Sequence, residues 1–288
     1  MTRLIHVTDL HFWKVTWNPL RLLGKRALGN FNVWLRRRHE FHMHNANDAA
    51  DYIAKLGAQD VFLGGDFTST ALPEEFEMAA KWMERLERHH LNLHVVPGNH
   101  DVYTFESARL RRFERVMQRH MPEDGFPTVR KLANGASLVL APTACPNIIS
   151  SRGHISSSVV DQTVKLVQSC PEDLVLVGAH YPVLEKTPWF TTAKSRCLRG
   201  AEAFRRALGQ SGKTVLYICG HAHRFGYIAD PDYPSLTHVC TGALFLHRHG
   251  TLERGTFTEI QVEGNSPRII QHRLVDGWAA EEMELRRF

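Results

Sequence analysis

Leu4-Ile5-His6-Val7, followed at once by Asp9-Leu10-His11, sets a pattern that recurs along the chain: a short apolar run, then a polar cluster carrying Asp or His. Val61-Phe62-Leu63 precedes Gly65-Asp66, and Leu93-His94-Val95-Val96 precedes Gly98-Asn99-His100-Asp101. Leu174-Val175-Leu176-Val177 precedes His180-Tyr181-Pro182, and Val215-Leu216-Tyr217-Ile218 precedes Gly220-His221-Ala222-His223. Runs this short and this apolar read as strands buried on both faces, and Ser137-Leu138-Val139-Leu140 is another. Between them, Pro73 to His90 sets Phe76, Ala79, Ala80, Met83 and Leu86 at helical spacing, with Pro73 at the first helical position and Glu74 and Glu75 in the first turn. Further helices are expected at Phe41 to Leu56, Phe105 to His120, Ser157 to Ser169 and Gly200 to Leu208. Near the end, Gly255 to Val262 and Arg268 to Leu274 flank Glu263-Gly264-Asn265-Ser266-Pro267, a strand, turn, strand pattern. Strands alternating with helices predict an α/β fold. With no repeat, low-complexity tract or linker, a single domain over 1–288 is expected.

The composition agrees with a globular protein. The 288 residues are 43% hydrophobic and 23% charged, with 20 Gly and 13 Pro, which excludes a disordered, collagenous or fibrous chain. No apolar stretch approaches the roughly 18 residues of a membrane span, and Met1-Thr2-Arg3-Leu4-Ile5-His6-Val7 reaches polar residues too soon for a signal-peptide core. A cytoplasmic location is therefore expected. The five cysteines, Cys145, Cys170, Cys197, Cys219 and Cys240, are odd in number and lack C-x-x-C spacing, which argues against a disulfide framework or a zinc knuckle.

The net charge of +5 is concentrated in one place. From Phe12 to Arg38 there are seven cations, Lys14, Arg21, Lys25, Arg26, Arg36, Arg37 and Arg38, and no acid. Nucleic acid is not the expected partner, because nucleic-acid binders spread Lys and Arg over a groove-wide face. The same segment holds Trp13, Trp17 and Trp34 among many Leu, so it reads as an amphiphilic insertion directly behind Asp9-Leu10-His11.

Each polar cluster follows the carboxyl end of a strand, the edge where ligands bind in α/β sheets. Carboxylates and imidazoles without thiolates suit divalent manganese, iron or zinc, and Asp9, His11, Asp66, Asn99, His180, His221 and His223 are too many ligands for one ion. Two cations are expected, manganese first among them. A carboxylate can bridge a metal pair, and Asp66, behind Gly64-Gly65, is the candidate; Asn99 would bring a neutral oxygen. Such a centre holds a water as hydroxide at neutral pH and clamps phosphoryl oxygens for in-line attack, the chemistry of phosphoester hydrolysis.

The five clusters, in this order, resemble the motifs of the calcineurin-like metallophosphoesterase superfamily, from Asp9 to His223. That resemblance implies a pair of β-sheets packed together with helices outside, a four-layer sandwich. It implies that Asp9, His11, Asp66 and His223 hold one metal, and Asp66, Asn99, His180 and His221 the other. His100 would then stabilise the transition state or protonate the leaving oxygen, with Asp101 fixing its orientation. Within the insertion, Asn18-Pro19-Leu20, Lys25-Arg26, Leu28-Gly29-Asn30 and Arg36-Arg37-Arg38 are similar to the UDP-2,3-diacylglucosamine pyrophosphatases of lipid A synthesis that keep a Gly-Asn-His-Asp motif. The better-known enzymes of that step carry Arg where this chain has His100. The resemblance implies a phosphodiester or pyrophosphate hydrolase for an amphiphilic nucleotide-lipid, peripheral on the inner face of the membrane. Trp13, Trp17, Leu23, Arg37 and Arg38 would contact lipid and an anionic surface. The alternatives are a cyclic-nucleotide phosphodiesterase, which needs no apolar lid, and a non-catalytic metal-binding scaffold.

Overall fold

The computed structural model describes residues 1–19, 22, 25–148, 150–187, 191–247 and 250–287. Thr2–Val7 is the strand on which the two ends of the chain meet: it pairs in parallel with Asp60–Leu63 and antiparallel with Thr256–Glu263. The resulting six-stranded sheet runs Trp278–Met283, Ser266–Leu274, Thr256–Glu263, Thr2–Val7, Asp60–Leu63, Asn92–Val95. A second six-stranded sheet runs Gly226–Ala229, Leu236–Cys240, Thr214–Cys219, Leu174–Gly178, Ser137–Leu140, Thr128–Lys131.

Side chains alternate across a strand, so each buried strand serves two cores. Leu4, Phe62, Leu140, Leu176, Leu216 and Ile218 face inward and fill the space between the sheets. Their neighbours point the other way. Ile5, Val61 and Leu63 meet Ala49 and Ile53 of the helix Ala46–Lys55 and Phe76, Ala79 and Met83 of the helix Pro73–Arg88. Val175, Val177 and Tyr217 meet Val160 and Val167 of Ser157–Ser169 and Phe204 and Leu208 of Ala201–Gly209. The layers are therefore helix, sheet, sheet, helix, as the sequence resemblance implied.

Some elements differ from the sequence reading. The expected helix from Phe105 to His120 is broken into Phe105–Arg109, Arg112–Val116 and a 3-10 turn, because Arg111 takes a left-handed conformation (φ 49°) that turns Phe113 and Met117 into the core. The helix expected from Phe41 begins only at Ala46, after a 3-10 turn over Met43–Asn45. Trp278–Met283 is an additional strand. It lies at the sheet edge, mostly exposed, and pairs its Glu281 and Glu282 with Arg273 and Arg268 of the neighbouring strand. Charged edge strands of this kind lack the alternation of half-buried ones.

From residue 25 onward the amphiphilic insertion is helical: Lys25–Asn32, a π turn over Val33–Arg37, and Arg38–Glu40. Its apolar and polar faces are inverted relative to an ordinary surface helix. At 100° per residue, positions 26, 30, 33 and 37 share one side and 28, 31 and 35 the other. The inner side is Arg26, Asn30 and Val33, all buried. Arg26 donates to the Thr70 carbonyl (3.3 Å), Glu106 (3.0 Å) and Thr104 (3.2 Å), and Asn30 exchanges two hydrogen bonds with the Thr16 backbone. Gly29 must be small, since a Cβ there would lie 2.7 Å from the Tyr103 hydroxyl. The outer side is Leu28, Phe31 and Leu35, exposed by 66%, 59% and 59%.

Candidate metal centre

Asp9 and His11 follow Thr2–Val7, Asp66 follows Asp60–Leu63 and Asn99 follows Asn92–Val95, while His180 follows Leu174–Gly178 and His221 and His223 follow Thr214–Cys219. All seven leave the carboxyl ends of parallel strands, and the two sheets bring those ends together. The loops are cross-linked through their backbones: Asp9 N–H donates to the Gly65 carbonyl (3.0 Å) and His11 N–H to the Asp66 carbonyl (2.9 Å). Gly98 lets the Asn99 loop touch the Asp66 loop, because a Cβ on it would fall 2.2 Å from the Asp66 amide nitrogen.

Two groups of ligand atoms form, and Asp66 belongs to both: Asp9, His11, Asp66 and His223 on one side, and Asp66, His180 and His221 on the other. Asp66 Oδ2 lies 3.6 Å from His11 Nε2 and 3.5 Å from His180 Nε2, the placement of a shared atom. Asn99 Oδ1 joins the second group at 3.3 Å from His180 Nε2. In the first, His223 Nε2 is 3.0 Å from His11 Nε2 and 3.1 Å from Asp9 Oδ1. With ligand bonds near 2.0–2.2 Å, a tetrahedral edge is about 3.4 Å, so these separations suit a divalent cation.

Burial and hydrogen bonding fix which atoms face inward. His180 Nδ1 donates to the Gly64 carbonyl (2.8 Å) and His221 Nε2 to the Arg196 carbonyl (2.9 Å), leaving Nε2 of the first and Nδ1 of the second for the centre. Asp9 Oδ2 accepts from the Thr8 hydroxyl and the His221 amide, both at 2.9 Å, whereas its buried Oδ1 accepts no hydrogen bond. An orphaned carboxylate oxygen beside two imidazole nitrogens fits a cation. Burial, and then Arg37, hold the His11 imidazole well below its usual range, and burial, and then His180, push His221 down to about 3, which keeps both in the neutral, ligating form. Burial lowers His180 as well, but Asp66, Asp9 and the Gly64 carbonyl together more than reverse this and push it up to about 9.

His100 stands at the rim of the centre. Its amide donates to Asp66 Oδ1 (2.7 Å), its ring Nδ1 to the Ser69 carbonyl (2.6 Å), and the ring stacks on Tyr103 at 5.2 Å. The expected orienting contact from Asp101 is not made to this ring. Asp101 accepts from the Gly98 amide (2.9 Å) and from the Thr68 amide (3.0 Å) and hydroxyl (3.2 Å), so it ties the Asn99 loop to the Thr68 loop. Ser69 supplies the orientation instead, and no sequence motif marked it.

The proposed lipid-contact residues separate. Trp13 is a packing residue: its indole donates to the Phe41 carbonyl (3.2 Å) and its ring lies against the core. Trp17 is 75% exposed, and Arg38 is exposed with its guanidinium 5.4 Å above the Trp34 ring. Leu23 lies outside the described residues. Arg37, which shared that expectation, instead turns into the metal centre. A cavity of about 350 Å³ opens there, lined by Arg36, Arg37, Asp66, Asn99, His100, Arg196, His221 and His223.

The chain's similarities agree with this geometry. No curated protein is similar enough in sequence to match it. Among solved structures, TT1561 of Thermus thermophilus superposes with a TM-score of 0.53 at 12% identity, covering 93% of this chain and 97% of that one. Purple acid phosphatase PPD1 from yellow lupin seeds has a TM-score of 0.62 at 10% identity, over 99% of this chain and 54% of that one. Both show a shared fold. The model of the calcineurin-like phosphoesterases matches residues 2–225, which span every candidate ligand from Asp9 to His223, and the chain therefore belongs to that family and is a phosphoester hydrolase.

Proposed function

We propose that the chain hydrolyses a phosphodiester or pyrophosphate in an amphiphilic nucleotide-lipid, of which UDP-2,3-diacylglucosamine is the leading example, while docked on an anionic membrane surface. The observation that carries this reading is the inverted helix of the insertion. Leu28, Phe31 and Leu35 face solvent on the same segment that delivers Arg37 to the metal centre, with Trp17, Trp34, Arg36 and Arg38 in that segment. A contiguous exposed apolar face rimmed by cations is the signature of a surface that meets lipid.

Two divalent cations held by Asp9, His11, Asp66, Asn99, His180, His221 and His223 would supply Lewis-acid charge and an activated water. The protein's part is to place the substrate. A cavity of about 350 Å³ accommodates a phosphorylated headgroup and leaves acyl chains outside, on the insertion. The same size suits a cyclic nucleotide, whose hydrolysis would make no use of the apolar face.

Metal-loaded protein assayed against UDP-2,3-diacylglucosamine in anionic vesicles, cyclic AMP and bis(p-nitrophenyl) phosphate distinguishes the readings. Preference for the lipid substrate is expected. Turnover of cyclic AMP with none of the lipid would replace this proposal with the cyclic-nucleotide one.

A further inference from the structure

A second and larger cavity, of about 720 Å³, shares a wall with the metal-centre cavity. The wall is a short parallel ladder in which the amides of Ser151, Gly153 and Ile155 donate to the carbonyls of Ser195, Cys197 and Arg199 at 3.0, 3.3 and 3.0 Å. Consecutive residues on it face different cavities: Ser151 and Arg196 line the metal centre, Arg152 and Cys197 the second cavity. Buried Val183, Leu184, Leu198 and Ala201 give the second cavity an apolar lining. Its charge is one-sided. Arg205 is neutralised by Asp230 (2.7 and 2.6 Å), Asp232 and Glu202 (3.2 Å). Among the described residues, the side chains of Arg152, Lys186 and Lys194 make no hydrogen bond or ion pair, and Arg199 reaches only the Cys145 sulfur, at 3.9 Å. Of the described acids in the lining, Glu185 alone is left to oppose these four cations. Arg152 Nε is buried with no hydrogen-bond partner, the position an anionic oxygen of a ligand would fill. The helix Ala201–Gly209 begins at the same cavity without a side-chain cap, and its first amides add to the positive potential.

We propose, resting on the nucleotide-lipid reading, that this second cavity seats the nucleoside phosphate half of the substrate while the insertion takes the acyl half. The metal-centre cavity, at about 350 Å³, stands near the lower end of the roughly 300–1,000 Å³ of small-molecule sites, so a nucleoside needs room beyond the reacting phosphate and its sugar. The two sides of that cavity lead to different places. Arg36 and Arg37 belong to the insertion, whereas Ser151 and Arg196 stand on the wall behind which Arg152 and Cys197 line the second cavity. The Arg196 guanidinium has no partner among the described residues, and it carries positive charge to the foot of the wall that a substrate phosphate would cross. A nucleobase is apolar on its faces and polar at its edges, which suits an aliphatic lining with Glu185 and cations at its margin. The phosphate and ribose oxygens suit Arg152 and Lys194.

The test uses the full-length, metal-loaded protein, with UMP, ribose 5-phosphate and inorganic phosphate as binding probes in calorimetry and UDP-N-acetylglucosamine as a soluble pyrophosphate substrate. UMP should bind about tenfold more tightly than ribose 5-phosphate, because only UMP has a base to lay on the apolar lining. Arg152→Ala combined with Lys194→Ala should weaken UMP by about tenfold or more and raise KM for UDP-N-acetylglucosamine by a similar factor. Metal content should stay unchanged, and kcat should stay within about threefold, since the lost contact is made equally before and during the reaction. Ala203→Trp, which adds bulk inside the cavity and keeps every cation, should weaken UMP as well. A general loss of positive potential at the metal centre would weaken inorganic phosphate as much as UMP, and that result would overturn the assignment. Unaltered UMP affinity in both variants would overturn it too, as would UMP binding no tighter than ribose 5-phosphate. If both variants lost UMP affinity in a protein that turned over no uridine substrate, the cavity would stand as a nucleotide site and the lipid reading would fall separately. Thermal melting of each variant, with Arg152→Gln as a milder replacement, separates a lost contact from a lost fold.

Discussion

Replacing Leu28, Phe31 and Leu35 together by Gln removes the outward apolar face and keeps good helix formers in the helix. Fully burying a Leu or Phe side chain contributes about 1.5–3 kcal/mol, and these three have roughly 60% of their surface still to bury. Each can therefore add about 1–2 kcal/mol on entering a bilayer interface, or about 3–6 kcal/mol together. At 1.4 kcal/mol per power of ten, the triple variant should partition onto anionic vesicles about two to four powers of ten more weakly than wild type. Wild-type binding should itself fall as salt rises, because Arg36 and Arg38 each contribute on the order of 1 kcal/mol that ions screen. The fold should change little, since exposed side chains with few contacts carry little of the stability. Co-sedimentation measures the partition, calorimetry the melting temperature, and bis(p-nitrophenyl) phosphate the metal centre, whose rate should be unaffected. Vesicle binding equal to wild type would refute the docking face. A melting point lowered by many degrees would show that these side chains hold the fold.

Asp66→Ala should abolish turnover and lower bound metal below two equivalents by elemental analysis while leaving the circular dichroism intact; full metal content with near-normal rate would dismiss the shared-ligand reading. Chelation should lower the melting temperature, because a ligand a thousandfold above its Kd stabilises the native state by about 4 kcal/mol, or roughly 8–16 °C for a domain of this size; a melting point indifferent to chelator would count against a metal centre. Glu75 accepts from the amides of Lys14, Thr70 and Leu72 and the Thr70 hydroxyl, so Glu75→Gln, which sets an NH2 against these donors, should cost about 1–3 kcal/mol in denaturant unfolding. Burial raises the Asp230 carboxyl, but hydrogen bonds from His238 (2.7 Å) and Arg205 (2.7 and 2.6 Å) more than reverse this. A depressed folded pKa adds stability that is present above about pH 4 and lost as pH falls below it, so Asp230→Asn should flatten the acid limb of the stability profile.

The clustering of the candidate ligands was legible because these residues obey a local rule. Each follows an apolar run, so finding the strands also locates Asp9, Asp66, Asn99, His180 and His221 at one edge of the two sheets. The helices at Pro73–Arg88 and Ser157–Ser169 were legible for the same reason, being set by apolar spacing over three or more turns. Other features depend on distant partners. Nothing near Asp101 shows that Thr68 captures it, and nothing near His100 shows that the Ser69 carbonyl takes its proton. The break at Arg111 depends on where Phe113 and Met117 find space. Trp13 was grouped with Trp17 by composition, although one packs on the core and the other is exposed. The inversion of the insertion did have a signal, the 100° spacing of 26, 30, 33 and 37 against 28, 31 and 35. It goes unseen when a segment is read by its content of Trp, Leu and Arg rather than by position.

Backbone strain separates the two parts of the site. Of the eight non-glycine residues with positive φ among the described ones, five are expected ligands: Asp9, His11, Asp66, His221 and His223. Left-handed backbone at such residues costs on the order of 1–3 kcal/mol each, and it persists where surrounding bonds leave no alternative. For Asp9, His11 and Asp66 these are the backbone bonds between the Asp9–His11 and Gly65–Asp66 loops. Arg37 needs no such strain. It sits in helical backbone, on an element whose inner side is tied down by Arg26, Asn30 and buried Val33 and whose outer side is open to solvent. The candidate ligands are thus placed by loops at the sheet ends, while the guanidinium is placed by a helix whose outer face is apolar and exposed. Under the docking proposal, a membrane on that face would bear on the helix that carries Arg37 and not on the sheet-end loops of Asp9, Asp66 and His180, so vesicle binding should leave the metal content unchanged.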